Sequence, residues 1–177
     1  MLHPVSIPIG ESISLTPIHE SARESCVELL NNQGIYKHTM RIPQPYQAGD
    51  FDFFFAIAED QTVKHGHPVH FAIRDETQKM IGGCGFDDVH EGHSAEIGYW
   101  LGEPHWGRGI MTDVVREITS FAHAEWQLVR VSAYVFDFNQ RSSRVLEKAG
   151  YEFEGSLMKF FRKDGRFIDA KLYASLR

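Results

Sequence analysis

The feature that most constrains this sequence is a pair of glycines, Gly107 and Gly109, in front of a segment with helical periodicity. Glycine loses more backbone entropy on folding than any other residue and adds no side chain to a core. A strand is predicted just before the glycines, at 93–102, so they join a strand to a helix. The helix is predicted over 109–125 because its apolar residues fall on one face: Ile110, Met111, Val114, Val115, Ile118, Phe121 and Ala122.

A glycine step at this place suits the binding of an anion. The first turn of a helix has unpaired N–H groups and a partial positive charge, and glycines ahead of it let a ligand approach the backbone. These features predict a pyrophosphate site, to which Arg108 would add a charge. The alternative is that the glycines only let the loop turn. Nucleotide-binding motifs do not decide between the anion site and the simple turn, because G-x-x-x-x-G-K-[ST] is absent and "GRGIMT" does not complete G-x-G-x-x-G.

Alternation and helical periodicity divide the rest of the chain into short strands and amphipathic helices. The predicted order is βααβββ, then αβα, then ββ, which has too many adjacent strands for a doubly wound fold. The fold class is therefore α+β, a mixed, mostly antiparallel sheet of about seven strands with helices on its faces. The other predicted strands lie at 12–18, 67–75, 78–89 and 128–136 and around the turn "KDGR", and the strand at 128–136 is expected to be buried. The other predicted helices lie at 19–31, 47–61 and 140–150. The segment 31–50 is expected to be loop-like.

Length and charge favour one domain over residues 1–177 and exclude some classes of partner. The net charge of −6 and the lack of a run of like charges argue against nucleic acid. Two cysteines in different elements favour the reducing cytoplasm. The N-terminal residues lack the pattern of a secretory signal, and the apolar run 51–58 is too short to cross a membrane. We therefore expect a cytoplasmic protein with no membrane partner.

Three segments, taken in their order and spacing, resemble the GNAT superfamily of acetyl-CoA-dependent N-acetyltransferases. They are "AEIGYWLGEPHWGRGIMT" (95–112), "NQRSSRVLEKAGYEFEG" (139–155) and "DGRFIDAKLYAS" (164–175). Their combination is similar to the RimJ/RimL branch, which includes N-terminal acetyltransferases of ribosomal proteins. The resemblance implies a three-layer α/β/α GNAT fold. In that fold the strands at 93–102 and 128–136 splay apart and admit the pantetheine of acetyl-CoA.

The resemblance also implies how the glycine loop contacts acetyl-CoA. The superfamily's phosphate loop is usually written [QR]-x-x-G-x-[GA], and here it is W-G-R-G-I-M. Trp106 and Met111 depart from that general pattern in the way typical of the RimJ/RimL branch. The backbone of residues 107–112 would hold the pyrophosphate, with Thr112 closing the turn.

Five more residues would contact acetyl-CoA according to the same resemblance. The pantetheine arm would pair with the backbone at Trp100 and Leu101 as an added strand. The Asn139 side chain would bind the pantetheine amides, and the Ser142 hydroxyl would lie at the CoA sulfur. Arg144 would reach the phosphates or form an ion pair with Glu147 and its neighbours. From the residues alone, Asn139 and Ser142 also fit plain capping of a helix, and the two roles are compatible.

Acyl transfer from a thioester to an amine sets the catalytic requirements. The amine must lose a proton, the developing oxyanion needs a donor, and the thiolate should be protonated. Glu96 is the candidate base, directly or through water, because a glutamate inside a largely apolar strand is costly unless it has partners or a function. The alternative is an ordinary solvated strand residue. Many relatives carry a tyrosine where this chain has Leu146, so Ser142, Tyr134 or a water would supply the proton.

The remaining reactive side chains are expected to be structural. The histidines of "HGHPVH" and "HEGH" lie in turns and at a strand edge, without the fixed geometry and further ligands of a metal site, so no metal is predicted. Cys84 lies between two glycines of a strand, which indicates tight packing and not a nucleophile. The four phenylalanines of the segment 51–55 are expected to belong to the core, with the lining of a substrate pocket as the alternative: Phe51, Phe53, Phe54 and Phe55.

The function predicted from these features is acetyl transfer from acetyl-CoA to a primary amine by direct attack in a ternary complex. An N-terminal peptide amine is the first acceptor to consider, and a small amine such as an antibiotic, a polyamine or an amino sugar is the alternative. Two hypotheses from other classes are a non-catalytic acyl-CoA-binding sensor and a hydrolase that uses Cys84. A homodimer is expected only by analogy with relatives.

Overall fold

The computed structural model describes residues 6–177 of the chain. The strands are β1 (Ile7–Ile9), β2 (Ile13–Pro17), β3 (His70–Arg74), β4 (Met80–His90), β5 (Ser94–Leu101), β6 (Arg130–Phe136), β7 (Glu152–Lys163) and β8 (Arg166–Leu176). The α-helices are α1 (Arg23–Leu30), α2 (Gln33–His38), α3 (Ala48–His65), α4 (Ile110–Glu125) and α5 (Gln140–Lys148). Within residues 6–177, no helix has both the length and the apolar character needed to cross a lipid bilayer.

The strands are hydrogen-bonded in the order β1-β2-β3-β4-β5-β6-β8-β7. The pairs β1–β2, β2–β3, β3–β4, β6–β8 and β7–β8 are antiparallel, whereas β5 and β6 are parallel. The predicted α+β class with a mixed, mostly antiparallel sheet is therefore confirmed. Within residues 6–177 the sheet has eight strands and not about seven. The additional strand is β1, whose three residues are too few to show a periodicity in the sequence.

The parallel ladder between β5 and β6 is short. It pairs residues 94–96 with residues 130–132, and the last pair is Glu96 with Ser132. Within the described residues the ladder does not extend further, although both strands continue. The splay predicted between these strands requires such an early end of the ladder.

The chain forms two compact units. The first consists of the residues up to Gly85 together with Tyr99–Ile110, and the second of Phe86–Gly98 together with Met111–Arg177. In the first unit, Trp100 and Trp106 are partly buried against the core cluster. The buried members of that cluster come from α1, α2, α3, β3, β4 and the segments beside them: Ala22, Cys26, Leu30, Ile35, Tyr46, Phe51, Ala72 and Met80.

In the second unit, α4 buries one apolar face, as its periodicity predicts. The helix begins at Ile110 and ends at Glu125, within one residue of the predicted start. Trp126 follows the helix, and its ring forms T-shaped contacts with the rings of Phe86 and Phe121. The fully buried residues of α4 are Val114, Val115, Ile118 and Ala122. Because this face is packed along the helix, the first turn of α4 is held in a defined position.

β7 and β8 form the predicted hairpin around "KDGR". Its turn residues Asp164 and Gly165 both have positive φ, 50° and 74°, which matches an Asp-Gly hairpin turn. Two bulges interrupt the ladder, and the second lies between Leu157 and Phe161. At that bulge Lys159 has a φ of 52°, and its N–H donates to the Asp169 carboxylate at 2.6 Å.

The segment 31–50, expected to be loop-like, contains the helix α2. The side-chain oxygen of Asn32 caps this helix by accepting a hydrogen bond of 3.1 Å from the Ile35 N–H, and the Ile35 side chain is buried. A six-residue helix that contains Gly34 has little intrinsic stability. Its cap and its tertiary contacts therefore decide its formation, and periodicity does not reveal them.

Two other expectations about side-chain burial are corrected. Phe51 is fully buried, but Phe53, two residues later in α3, is 71% exposed. The expectation that all four phenylalanines belong to the core is therefore wrong. β6, expected to be buried throughout, alternates instead. Its residues Val131, Ala133 and Val135 are buried, whereas Arg130, Ser132 and Tyr134 are half-buried on the opposite face.

Candidate functional site

The loop before α4 requires glycine at both predicted positions. Gly107 has a φ of 73° and Gly109 a φ of 80°, a conformation that costs other L-residues free energy. A Cβ added to either glycine would meet no other protein atom within 4 Å. Both glycines are therefore needed for the backbone conformation, and their backbone is open to approach from outside.

The loop is anchored within the first unit by contacts that the sequence did not predict. The Trp106 indole N–H donates to the Leu101 carbonyl oxygen at 2.6 Å, and the Asn32 amide contacts the Glu103 carboxylate. A Cβ added to Gly34 would lie 2.8 Å from the Trp106 ring. Trp106 is thus directed into the protein, and its side chain fixes the loop from the inside. A tryptophan in a polar, glycine-rich loop is the signal that indicates such an anchor.

The other residues predicted to bind the pyrophosphate differ in their exposure to solvent. Met111, in the second unit, is buried, so its side chain is not available to a ligand. Ile110 and Thr112 are half-buried, whereas the Arg108 side chain is exposed. The first turn of α4 therefore offers backbone N–H groups, and Arg108 is the cation beside it.

Trp100 and Leu101, predicted to contact the pantetheine, lie in the part of β5 that belongs to the first unit. The Trp100 ring is close to Gly83, because a Cβ added there would lie 2.8 Å from the indole nitrogen. The Trp100 carbonyl oxygen would lie 2.6 Å from a Cβ added to Gly82. These two glycines flank Cys84 on its N-terminal side, so the tight packing predicted for "GGCG" is confirmed.

Glu96 lies in the second unit, in the part of β5 that pairs with β6. Its side chain is half-buried, and its neighbours Ala95 and Ile97 are buried. Glu96 is paired with Ser132 in the parallel ladder. A half-buried carboxylate can take part in proton transfer.

A polar network that the sequence did not predict lies on the same face of β6. Arg130 donates from Nε to the Ser132 hydroxyl at 2.9 Å and from Nη1 to the Glu154 carboxylate at 2.9 Å. Its Nη2 contacts the second carboxylate oxygen of Glu154. The hydrogen bond to Glu154 raises the pKa of Arg130 above its usual range and lowers that of Glu154. The alternation of "RVSAY" was the available signal, since it puts two polar residues on one face of a strand.

Asn139 and Ser142 are brought together at the start of α5. The Asn139 side-chain oxygen accepts a hydrogen bond of 3.2 Å from the Ser142 N–H, so the capping role predicted for Asn139 is confirmed. Arg144 is exposed on the same helix. Leu146 is fully buried. Of the alternative proton donors, Tyr134 is half-buried with its ring stacked on Phe160 at a centroid distance of 4.8 Å.

The histidines were not predicted to bind a metal, and Cys84 was predicted to be a nucleophile only under the hydrolase hypothesis. Within residues 6–177, no three or more His, Cys, Asp or Glu side chains are arranged to hold a metal ion. Both cysteines are free and buried, and burial raises the pKa of the Cys84 thiol to about 12. A thiol that keeps its proton at neutral pH is a poor nucleophile.

Comparison with known proteins places residues 13–152 in a family model described as the acetyltransferase (GNAT) domain. The uncharacterised N-acetyltransferase p20 of Bacillus licheniformis is 34% identical over 106 residues, which cover 59% of this chain and 60% of that protein. The ribosomal protein uS5-alanine N-acetyltransferase of Escherichia coli (strain K12) is 28% identical over 114 residues, which cover 63% and 59%. The chain thus spans about three-fifths of the length of these curated relatives.

Solved structures share the fold over nearly the whole chain. RimL, the ribosomal L7/L12 alpha-N-protein acetyltransferase in complex with coenzyme A, has a TM-score of 0.88 at 18% identity and covers 97% of this chain and 98% of its own. The microcin C7 self-immunity acetyltransferase MccE, in complex with acetyl-CoA and AMP, has a TM-score of 0.89 at 20% identity, with coverages of 99% and 98%. At these identities the likeness shows the fold.

Proposed function

The chain belongs to the family of GNAT acetyltransferase domains, and from this premise we propose that it is an N-acetyltransferase. The acetyl group of acetyl-CoA would move to a primary amine by direct attack in a ternary complex. One observation carries the proposal: Gly107 and Gly109 both have positive φ, directly before α4. Their backbone is open where a Cβ would otherwise stand, which suits the close approach of a pyrophosphate to N–H groups.

The contacts to acetyl-CoA are proposed for each residue separately. The backbone of residues 107–112 and the Arg108 side chain would bind the phosphates, and the backbone at Trp100 and Leu101 would pair with the pantetheine. The Leu101 carbonyl oxygen already accepts a hydrogen bond from Trp106. The pantetheine would therefore use the hydrogen-bonding capacity that this bond leaves on the Leu101 backbone. Asn139, Ser142 and Arg144 keep the roles that the family resemblance implies for them. The confirmed capping bond of Asn139 leaves its amide nitrogen to donate.

The chemistry assigned to this chain consists of binding and proton transfer. Acetyl-CoA supplies an activated thioester carbonyl when it is bound. Glu96 would take the proton of the attacking amine, directly or through water, so that the C–N bond forms as the C–S bond breaks. The departing thiolate would receive a proton from Ser142, Tyr134 or a water. Holding both reactants together lowers the entropic part of the barrier.

The first acceptor we propose is the N-terminal amine of a polypeptide. The uS5-alanine N-acetyltransferase is among the relatives by sequence, and RimL, named for the ribosomal protein L7/L12, is among those by structure. The alternative is a small-molecule amine, which is favoured by the likeness to MccE, whose structure is a complex with acetyl-CoA and AMP. We further propose that the protein acts in the cytoplasm, because both thiols are free. It would act on its own or as a homodimer. The net charge of −6 argues against a nucleic-acid partner, and we propose no membrane partner.

The two hypotheses from other classes are less well supported. A Cys84 hydrolase requires a reactive thiolate, whereas Cys84 is buried with a raised pKa. A non-catalytic sensor would bind acetyl-CoA through the same loop and would have no use for a half-buried carboxylate at Glu96.

An acceptor screen tests the proposal. The protein is incubated with acetyl-CoA and one amine at a time, and free CoA is measured; the panel includes peptides that begin with Ser, Ala and Met, polyamines and amino sugars. Release that depends on one acceptor class supports transfer and names the substrate. Tight acetyl-CoA binding without release would support the sensor. An acetylated Cys84, detected by mass spectrometry of the intact protein, would support the hydrolase.

A further inference from the structure

The amide group of Asn32 is hydrogen-bonded at both of its ends. Its oxygen accepts a bond of 3.1 Å from the Ile35 N–H and so caps α2. Its nitrogen donates to the Glu103 carboxylate, which is 71 residues further along the chain. Because a backbone N–H needs the amide oxygen and a carboxylate needs the amide nitrogen, the two partners fix the orientation of the side chain. One residue therefore joins the start of α2 to the segment that follows β5.

Glu103 begins the short turn that leads into the glycine loop. The turn is a 3₁₀ helix over Glu103–His105, and the Glu103 carbonyl oxygen accepts a hydrogen bond of 3.1 Å from the Trp106 N–H. Gly107, whose positive φ opens the backbone, comes directly after Trp106. The turn is thus held at its first residue by Asn32 and at its end by the anchored Trp106.

We propose that Asn32 is a positioning residue for the loop that binds the pyrophosphate of acetyl-CoA. It would act through Glu103 and without contact to the ligand. Its bond would favour the conformation in which the backbone at Gly107 and Gly109 is open to an anion. This inference rests on the proposed function, in which the loop binds acetyl-CoA.

The physical reason is the freedom of a loop that contains two glycines. Glycine populates positive and negative φ about equally, so such a loop has several accessible conformations unless its ends are held. A ligand binds only the competent fraction, and its apparent affinity falls in proportion to that fraction. A bond from α2 to the turn before the loop raises the competent fraction, and so it should raise the affinity for CoA.

Reversal of the bond's polarity tests the positioning role. Asn32→Asp keeps an oxygen that caps α2 about as well, but it loses the donor and sets a second carboxylate against Glu103. The Kd for CoA, measured by calorimetry, should rise about fivefold, in the range of residues that modulate a site without touching its ligand. Adding Glu103→Gln to this variant supplies an amide that donates to the new carboxylate. The double variant should return to within about twofold of the wild-type Kd.

Gln33→Glu is the matched control for the added charge. Gln33 is the exposed first residue of α2, so the variant places the same negative charge beside Asn32 and leaves the bond to Glu103 in place. Its Kd for CoA should equal that of wild type. In turnover, Asn32→Asp should raise the KM for acetyl-CoA and leave kcat at saturating acetyl-CoA unchanged.

Glu103→Ala provides a second variant that does not touch the cap of α2. Glu103 is exposed, so its truncation should leave the urea midpoint near that of wild type and still raise the Kd for CoA. In this background Asn32→Asp should have no further effect on the Kd. An unchanged Kd in Glu103→Ala would overturn the positioning role even if Asn32→Asp failed to fold.

The outcomes separate this inference from the proposed function. If the wild-type protein does not bind CoA, the proposed function fails and the positioning role fails with it. If wild type binds CoA and Asn32→Asp binds it equally well, only the positioning role is overturned. The same conclusion follows if Glu103→Gln does not rescue Asn32→Asp, or if Gln33→Glu weakens binding as much as Asn32→Asp does.

Discussion

The indole N–H of Trp106 donates a hydrogen bond of 2.6 Å to the carbonyl oxygen of Leu101. This bond joins the end of β5 to the start of the glycine loop. The same ring lies against α2, where a Cβ on Gly34 would approach it to 2.8 Å. The conformation of the loop that we assign to the pyrophosphate therefore depends on a short helix from a distant part of the sequence.

Replacement of Gly34 by alanine should destabilise the protein. Gly→Ala within a helix normally stabilises by roughly 0.5–1 kcal/mol, but here the added methyl group would overlap Trp106. We expect a loss of about 1–3 kcal/mol, the usual cost of overpacking, measured by urea unfolding. The added Cβ would also lie 2.9 Å from the Asn32 side-chain oxygen, so a Trp106→Phe background should remove only the part of this loss that comes from the tryptophan ring. A Gly34→Ala variant as stable as wild type would show that the contact is unimportant.

Replacement of Gly109 by alanine should weaken binding of CoA. Its φ of 80° would cost alanine about 1–2 kcal/mol, and relief of that strain would move the first N–H groups of α4. We expect the Kd for CoA, measured by calorimetry, to rise about tenfold, which corresponds to about 1.4 kcal/mol.

Gly49→Ala is the matched control for Gly109. This glycine lies in α3 without a positive φ, and its added Cβ would also meet no atom within 4 Å. It should leave the Kd unchanged. Equal affinity of the Gly109→Ala variant and wild type would contradict the role of the loop.

Replacement of Glu96 by glutamine should slow turnover about a hundredfold near neutral pH, as expected for loss of a general base. At high pH the acceptor amine is already deprotonated, so most of the loss should disappear. The measurement is kcat against pH with the acceptor found in the screen. Glu125→Gln, at the exposed end of α4, is the control and should follow the wild-type profile. A Glu96→Gln defect that is constant with pH would exclude deprotonation as its role.

The Cys84 thiol should make stability fall at alkaline pH. Burial raises its pKa from 9.0 to about 12, so the native state keeps a proton that the unfolded chain releases near pH 9. This contribution to stability is complete below pH 9 and is lost as the pH rises to about 12. The urea-unfolding free energy should therefore decrease over that range, and less steeply for Cys84→Ala. Identical slopes for the variant and wild type would contradict the shift.

The sequence predicted the elements whose signals are local. α4 has a long apolar face and was located within one residue of its start. The hairpin turn at Asp164 and Gly165 follows from a two-residue signal. Neither β1 nor α2 has such a signal, because three and six residues are too short for a periodicity and tertiary contacts stabilise them.

The residues of the candidate site also divide into those that a local sequence signal predicts and those that depend on tertiary packing. The need for glycine at 107 and 109 could be predicted, since φ is a property of the local backbone. The anchor of Trp106 on Leu101 and Gly34 could not, because it depends on how α2 packs. Arg130 and Glu154 are separated by 24 residues and are joined only through the register of β6, β8 and β7. A pattern along one strand does not contain that register.

The bulges of β7 have a consequence beyond the shape of the hairpin. β7 is the last strand in the order of the sheet, and an uninterrupted twelve-residue edge would be a template on which other chains add strands. The bulge between Leu157 and Phe161, with Lys159 in a left-handed conformation, breaks the regular spacing that such a template needs. We therefore expect this interruption to oppose edge-to-edge aggregation, although Phe153 and Phe160 on the strand are exposed.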